Sequence, residues 1–300
     1  MSHAHSGVVI VGSANMDMVF SVDRAPSPGE TLIAESAARY PGGKGLNQAV
    51  AAARAGAATS FIGAIGRDDH GAALATVLAG ETIRADLLRR VDAPTGQAFI
   101  VVDGRGENTI VVASGANACM RNLTDLDRAA IAGSSVVLLQ LELPLPVVLE
   151  AARAARAAGT TVMLNAAPAQ TLPDSLVDAL DFLIVNEHEA CAVSANENLD
   201  LASLALAARV GSLVVTLGAL GSAVYEDGAE LGRIAAPQVH AVDTTGAGDT
   251  YCGALAAAIA EGRDLAAAVA FATSAAALSV QALGAVPSIP TRDRIEAMAR

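Results

Sequence analysis

The sequence predicts an α/β protein built on a mainly parallel sheet covered by helices on both faces, with a small β appendage set into it. Two patterns carry that expectation. Over most of the chain short apolar runs alternate with alanine-rich segments of helical period, which is how strand–helix–strand units read. Two other stretches hold paired strand patterns with no helix between them. At 300 residues the chain exceeds the usual single-domain size, so one large core with an appendage is expected.

The elements follow in order. Val8–Val11 is an apolar run ending at Gly12, as a buried strand enters a turn. Gly45–Ala55 is rich in alanine behind a glycine cluster and reads as a helix starting near Lys44. Thr59–Ile65 is a strand and Gly71–Ala79 a helix. Then come Val136–Leu141 as strand, Leu145–Ala158 as helix, Thr161–Leu164 and Phe182–Val185 as strands, Leu201–Val210 as helix and Leu213–Leu217 as strand. Thr250–Glu261, Leu265–Leu283 and Thr291–Arg300 close the chain as helices. No residue from Leu265 to Thr291 is charged, but its polar side chains, many alanines and two prolines suit a buried helix better than a membrane span.

The interrupting stretches are Asp17–Val22 and Thr31–Ser36 around Pro26 and Pro28, and Gln97–Asp103 and Asn108–Ala113 around Gly104-Arg105-Gly106, a hairpin signal. We read residues 17–40 and 97–114 as a β lid, and residues 1–16, 41–96 and 115–300 as the core that binds ligand. The alternative is that these strands extend the main sheet.

Composition narrows the function. Thirty-one acidic against nineteen basic side chains give a net charge of −12, a field that repels nucleic acid. A phosphate-bearing ligand would need local help from amides, metals or a few lysines. Cys119, Cys191 and Cys252 are far apart and odd in number, which suits a reducing compartment such as the cytoplasm. Met1–Gly7 has no basic segment, and Val8–Val11 is too short for a signal peptide.

Three places could carry chemistry. In Ala241–Tyr251 the glycines Gly246 and Gly248 let backbone N–H groups converge just before a helix, an anion cradle favoured by the helix dipole. Asp249 beside it could take a proton from an attacking hydroxyl, or simply cap the helix. In Pro41–Asn47 glycines again lead into a helix, with Lys44 as a cation and Asn47 and Gln48 as amides for sugar hydroxyls. Asn15 and Asp17 follow the first strand at its carboxyl end, and Glu142, Asn186, Glu187 and Glu189 follow later strands, the edge where open α/β sheets bind ligands. Asn186 and the glutamates could hold Mg²⁺ through water, or Asn186 could cap a helix.

Gly42-Gly-Lys-Gly-Leu-Asn47 and Asp243-Thr-Thr-Gly-Ala-Gly-Asp249 together resemble the two signatures of the ribokinase-type carbohydrate kinases, and Asn186-x-x-Glu189 and Thr216-Leu-Gly-Ala-Leu-Gly221 between them also match. The resemblance runs from Val9 to about Ile289. It implies a three-layer α/β sandwich with a β lid that clasps a second subunit, and ATP-dependent phosphorylation of D-ribose at its 5-hydroxyl. A related kinase acting on deoxyribose, a nucleoside or another sugar is the alternative, and a non-catalytic nucleotide-binding regulator a more distant one. By the resemblance Asn15, Asp17, Gly43, Lys44, Asn47 and Glu142 bind sugar. Asp249 is the base, with Gly246, Ala247 and Gly248 stabilising the transferred phosphoryl group. Asn186 and Glu189 act on Mg²⁺ and phosphate. Thr216, Leu217, Gly218, Ala219, Leu220, Gly221, Gly248 and Thr273 face the nucleotide. Asp243, Thr245, Ser279, Ala282, Gly284 and Ser288 match the ligands of a monovalent cation, usually K⁺.

Overall fold

A computed structural model describes residues 7–105 and 108–299. Met1–Ser6, Gly106, Glu107 and the terminal Arg300 lie outside the described residues, and with them part of the expected Gly104-Arg105-Gly106 turn. The chain opens with β1 (Val8–Val11), β2 (Asn15–Ser21) and β3 (Ser36–Gly42), followed by α1 (Lys44–Arg54), β4 (Thr59–Gly66), α2 (Asp69–Gly80) and β5 (Leu88–Val91). A paired β6 (Gly96–Val102) and β7 (Asn108–Ala113) precede α3 (Asp125–Ala132), β8 (Val136–Leu139), α4 (Leu145–Ala158), β9 (Thr161–Asn165) and α5 (Asp174–Val177). Next come β10 (Phe182–Asn186), α6 (Glu187–Ser194), α7 (Leu199–Ala207), β11 (Ser212–Thr216), β12 (Ser222–Glu226) and β13 (Ala229–Ile234). Helices α8 (Ala247–Ala260), α9 (Leu265–Ser279), α10 (Ala285–Ser288) and α11 (Arg292–Met298) complete the fold.

Nine strands form the central sheet in the order β13-β12-β11-β10-β9-β8-β1-β4-β5, parallel except at β11–β12 and β12–β13. Alternate residues of a strand face opposite sides, and the core divides accordingly. Val9 and Val11 pack with Leu139, Val147, Val148 and Leu206 on one face; Val8 and Ile10 pack with Leu46, Val50, Leu255 and Phe271 on the other. The result is three layers, with α1, α8 and α9 on the second face. None of the described helices is long and apolar enough to cross a membrane, and the uncharged stretch beginning at Leu265 is the largely buried helix α9.

The small sheet is separate rather than an extension, in the order β3-β2-β6-β7. Strands β2 and β6 run parallel in register from Asn15↔Gly96 to Ser21↔Val102. The expected strand Thr31–Ser36 is a correction: those residues are irregular, with Ile33 95% exposed, and β2 pairs instead with Ser36–Gly42. Helix α9 also ends at Ser279 rather than Leu283. There the chain turns, and the Val280 carbonyl accepts the N–H groups of Val242 and Asp243 at 2.7 and 3.1 Å.

Candidate active site

Two helix N-termini meet at the carboxyl ends of β1, β8, β10 and β11. Helix α1 starts behind Gly43 at φ 88° and α8 behind Gly246 at φ 74°, left-handed backbone that glycine adopts without a Cβ penalty. A side chain on Gly246 would also strike Ala285 at 2.8 Å. The two helices lie against each other, so Lys44 and Asn47 of one face Asp249 of the other.

Around them is a cavity of about 500 Å³. From the core it is lined by Asn15, Asp17, Gly43, Lys44, Asn47 and Glu142. Asn186, Glu189, Thr216, Gly246, Gly248 and Asp249 line its other side, and Ala98, Ile100, Ile110 and Val112 of the small sheet form an apolar cover. A second, more apolar cavity of about 270 Å³ shares Thr216, Thr244 and Gly248 with the first. Gly218, Ala219, Gly221, Ala247 and Thr273 line it, while Leu217 and Leu220 line neither cavity. Leu217 is buried and Leu220 is 73% exposed.

The carboxylate of Asp249 is held at both oxygens. Asn47 Nδ2 donates to Oδ2 and Gln48 Nε2 to Oδ1, each at 3.0 Å. On the side of the cavity nearest β2, Asn117 Nδ2 donates to Asn15 Oδ1 at 2.7 Å, and Glu142 Oε2 accepts from Ser13 Oγ at 2.5 Å and from the Lys44 N–H at 3.1 Å. Asp17 is buried behind these. Burial, with Glu142 and Asp249 nearby and Lys44 only partly compensating, pushes its carboxyl up to about 7. For the Lys44 ammonium burial works downward, but Asp249, Glu142 and Glu189 outweigh it and hold the group above its usual value. Complete burial and the neighbouring carboxylates raise the Cys252 thiol well above its ordinary range.

Asn186 and Glu189 make a reciprocal capping box on α6, with Asn186 Oδ1 accepting the Glu189 N–H and Glu189 Oε2 the Asn186 N–H, both at 2.8 Å. Capping engages only Oε2 of Glu189, a residue that lines the cavity. Burial raises the Glu189 carboxyl despite the Asn186 bond. The six residues matched to a monovalent cation gather elsewhere, outside both cavities except for Thr245. Asp243 Oδ1 accepts the Thr245 N–H at 2.9 Å and Oδ2 the Gly284 N–H at 2.8 Å. Burial opposes ionisation there, but hydrogen bonding from the Thr245 side chain, together with these two N–H groups, outweighs it and lowers the carboxyl. The Ser279 and Ser288 hydroxyls donate to Ala276 and Ala285 carbonyls, and the Ala282 N–H donates to Ser279.

Four further polar residues belong to the site. Gln48, expected to meet sugar, is instead fully buried behind Asp249. Gln140 and Asn117 are fully buried too and Asn165 is 8% exposed, and each is hydrogen-bonded to a residue named above. Only Asn165 of these three lines the cavity. A glutamine closing the apolar run Val136–Leu139 was the signal in the sequence, since a buried amide needs a partner.

Residues 6–292 match the pfkB family carbohydrate kinases, and the chain belongs to that family. Within it, the chain is 39% identical to the ribokinase of Staphylococcus aureus over 96% of its own length and 98% of the relative's. It is 41% identical to the ribokinase of Haemophilus influenzae, covering 95% of each. Its structure superposes on that of Arabidopsis thaliana ribokinase complexed with ribose and ATP with a TM-score of 0.91, at 34% identity over 98% of this chain and 99% of that one.

Proposed function

We propose that this chain is a cytoplasmic ribokinase that transfers the γ-phosphoryl group of ATP to the 5-hydroxyl of D-ribose. The observation that carries the reading is the position of Asp249, oriented by two amides at the wall of the polar cavity, one residue past the Gly246–Gly248 turn that the second cavity shares. A sugar in the polar cavity would meet Asn15, Asp17, Asn47 and Glu142, and the adenine would lie in the apolar one. Asp249 accepts the proton of the 5-hydroxyl as its oxygen attacks phosphorus and ADP departs. The N-terminal amides of α8 and the Lys44 ammonium stabilise charge on the transferred group. Among the described residues no aromatic side chain lines the polar cavity, so a nucleoside base would find no ring there to stack on. That favours a bare sugar.

Glu189 lines the cavity and caps with only one carboxylate oxygen, which suits Mg²⁺ bound through water. Bound there, Mg²⁺ would offset charge on the ATP phosphates. The anionic Asp243, between two loops rich in carbonyls, suits K⁺. Its role would be to hold residues 243–246 against 280–288 so that the anion cradle keeps its shape. The exposed outer pair Phe99 and Val111 on the small sheet supports a homodimer formed through the lid.

ADP release measured over ribose, deoxyribose, adenosine, fructose and fructose phosphates should give the highest kcat/KM with ribose; a higher value with another acceptor overturns the assignment. Asp249→Asn should lower kcat by about a thousandfold while ATP still binds; retained turnover removes Asp249 as the base. Potassium added to sodium- and potassium-free enzyme should raise activity, and a flat response removes the monovalent site.

A further inference from the structure

Behind the proposed base lies a chain of buried amides of which only Asn165 reaches the cavity. Gln48 Nε2 donates to Asp249 Oδ1 at 3.0 Å and lies 3.2 Å from Asn165 Oδ1, while Gln48 Oε1 accepts from Gln140 Nε2 at 2.6 Å. Both glutamines are fully buried, and neither lines the polar cavity. Gln140 sits where it does because Gly12 carries no side chain: a Cβ there would collide with Gln140 Oε1. The direction of the chain is dictated from one end. An ionised carboxylate only accepts, so Gln48 must turn its Nε2 to Asp249. Its oxygen then faces Gln140, which must present Nε2 in turn.

We propose that Gln48 and Gln140 are positioning residues for phosphoryl transfer: Gln140 fixes the amide of Gln48, and Gln48 fixes the carboxylate of Asp249 so that its remaining lone pairs face the acceptor hydroxyl. This rests on Asp249 acting as the base. A carboxylate accommodates about four donors; two places are filled by Asn47 and Gln48 from the same helix, which leaves the substrate side open. Without Gln48 one oxygen loses its tether. Gln140 reaches Asp249 only through Gln48, so the two glutamines form one device.

The test is a double-mutant cycle on the intact enzyme with ribose and MgATP. Gln48→Leu should lower kcat by about a hundredfold, the size expected of a small misplacement of a reacting group, with KM for both substrates changed less than about twofold. Gln140→Leu should lower kcat by about tenfold, again with KM held. The double variant should be no slower than Gln48→Leu alone, because groups acting as a unit are not additive. Multiplying losses, or a loss carried by KM, overturns the proposal, as does wild-type kcat in Gln48→Leu. Should a leucine variant fold poorly, Gln48→Met and Gln140→Met carry the same cycle, with ribose binding by calorimetry counting the folded sites. Asp249→Asn run in parallel separates the two ideas: turnover retained there defeats the base itself, whereas an inactive Asp249→Asn beside a fully active Gln48→Leu defeats only the positioning role.

Discussion

Asp17, proposed to meet the sugar, shows what a buried carboxyl costs in stability. Its carboxyl is raised from 3.8 to about 7, first by burial and then by Glu142 and Asp249. Between those two values the folded state holds a proton that the unfolded chain has released, so stability falls as pH rises through this window and levels off above it. The difference amounts to up to about 4 kcal/mol. Asp17→Asn should therefore raise the melting temperature at pH 8 and leave it nearly unchanged below pH 4, while weakening ribose binding; equal shifts at both values would mean that ionisation of the buried carboxyl is not what destabilises the fold. On the proposed reading Asp17 stabilises a bound polyol at the expense of the empty fold, a common compromise in binding sites.

Between elements, the contact that aligns the site is the approach of α8 to α1. Gly253 lies one turn beyond Asp249, and a Cβ there would run into the backbone oxygen of Gln48 and the Ala51 side chain. Gly253→Ala should destabilise the protein by about 1–3 kcal/mol in urea unfolding and depress kcat as well, because separating the helices draws Asn47 and Gln48 away from Asp249. Unchanged stability would show that the helices can yield. The same pair of helices shows how far the sequence could be read. Val8–Val11 and Val136–Leu139 are legible because a strand buried on both faces is continuously apolar. Strand β3, Ser-Ala-Ala-Arg-Tyr-Pro-Gly, is not: it is a half-exposed edge with no alternation, and its place is set by pairing with β2. The exposed edge strand β13 escapes for the same reason. Lys44, Asp249 and the two glycine turns are local signals and stand out. The partnership of Gln48 with Gln140, or of Asn15 with Asn117, joins residues far apart in the chain, and only the folded sheet brings them together.

At the scale of the whole molecule, the net charge of −12 is compatible with handling ATP if, as proposed, the site supplies its own amides and Lys44. The outer face of the small sheet carries Phe99 paired with Val111, 41% and 65% exposed. If this pair meets a second copy, Val111→Asp should halve the mass measured by light scattering, since a buried unpaired charge is strongly unfavourable; an unchanged mass would place the contact elsewhere.

The first strand of the sequence lies inside the nine-stranded sheet, between β4 and β8. Its register with β8 pairs Val8 with Val136. During synthesis the Val-Val-Ile-Val segment therefore waits, with one hydrogen-bonding edge open, until Val136–Leu139 has been made. An uncharged edge of that kind is prone to pair with the wrong chain, so any fragment or nascent chain ending before Val136 carries an adhesive strand that the finished enzyme hides completely.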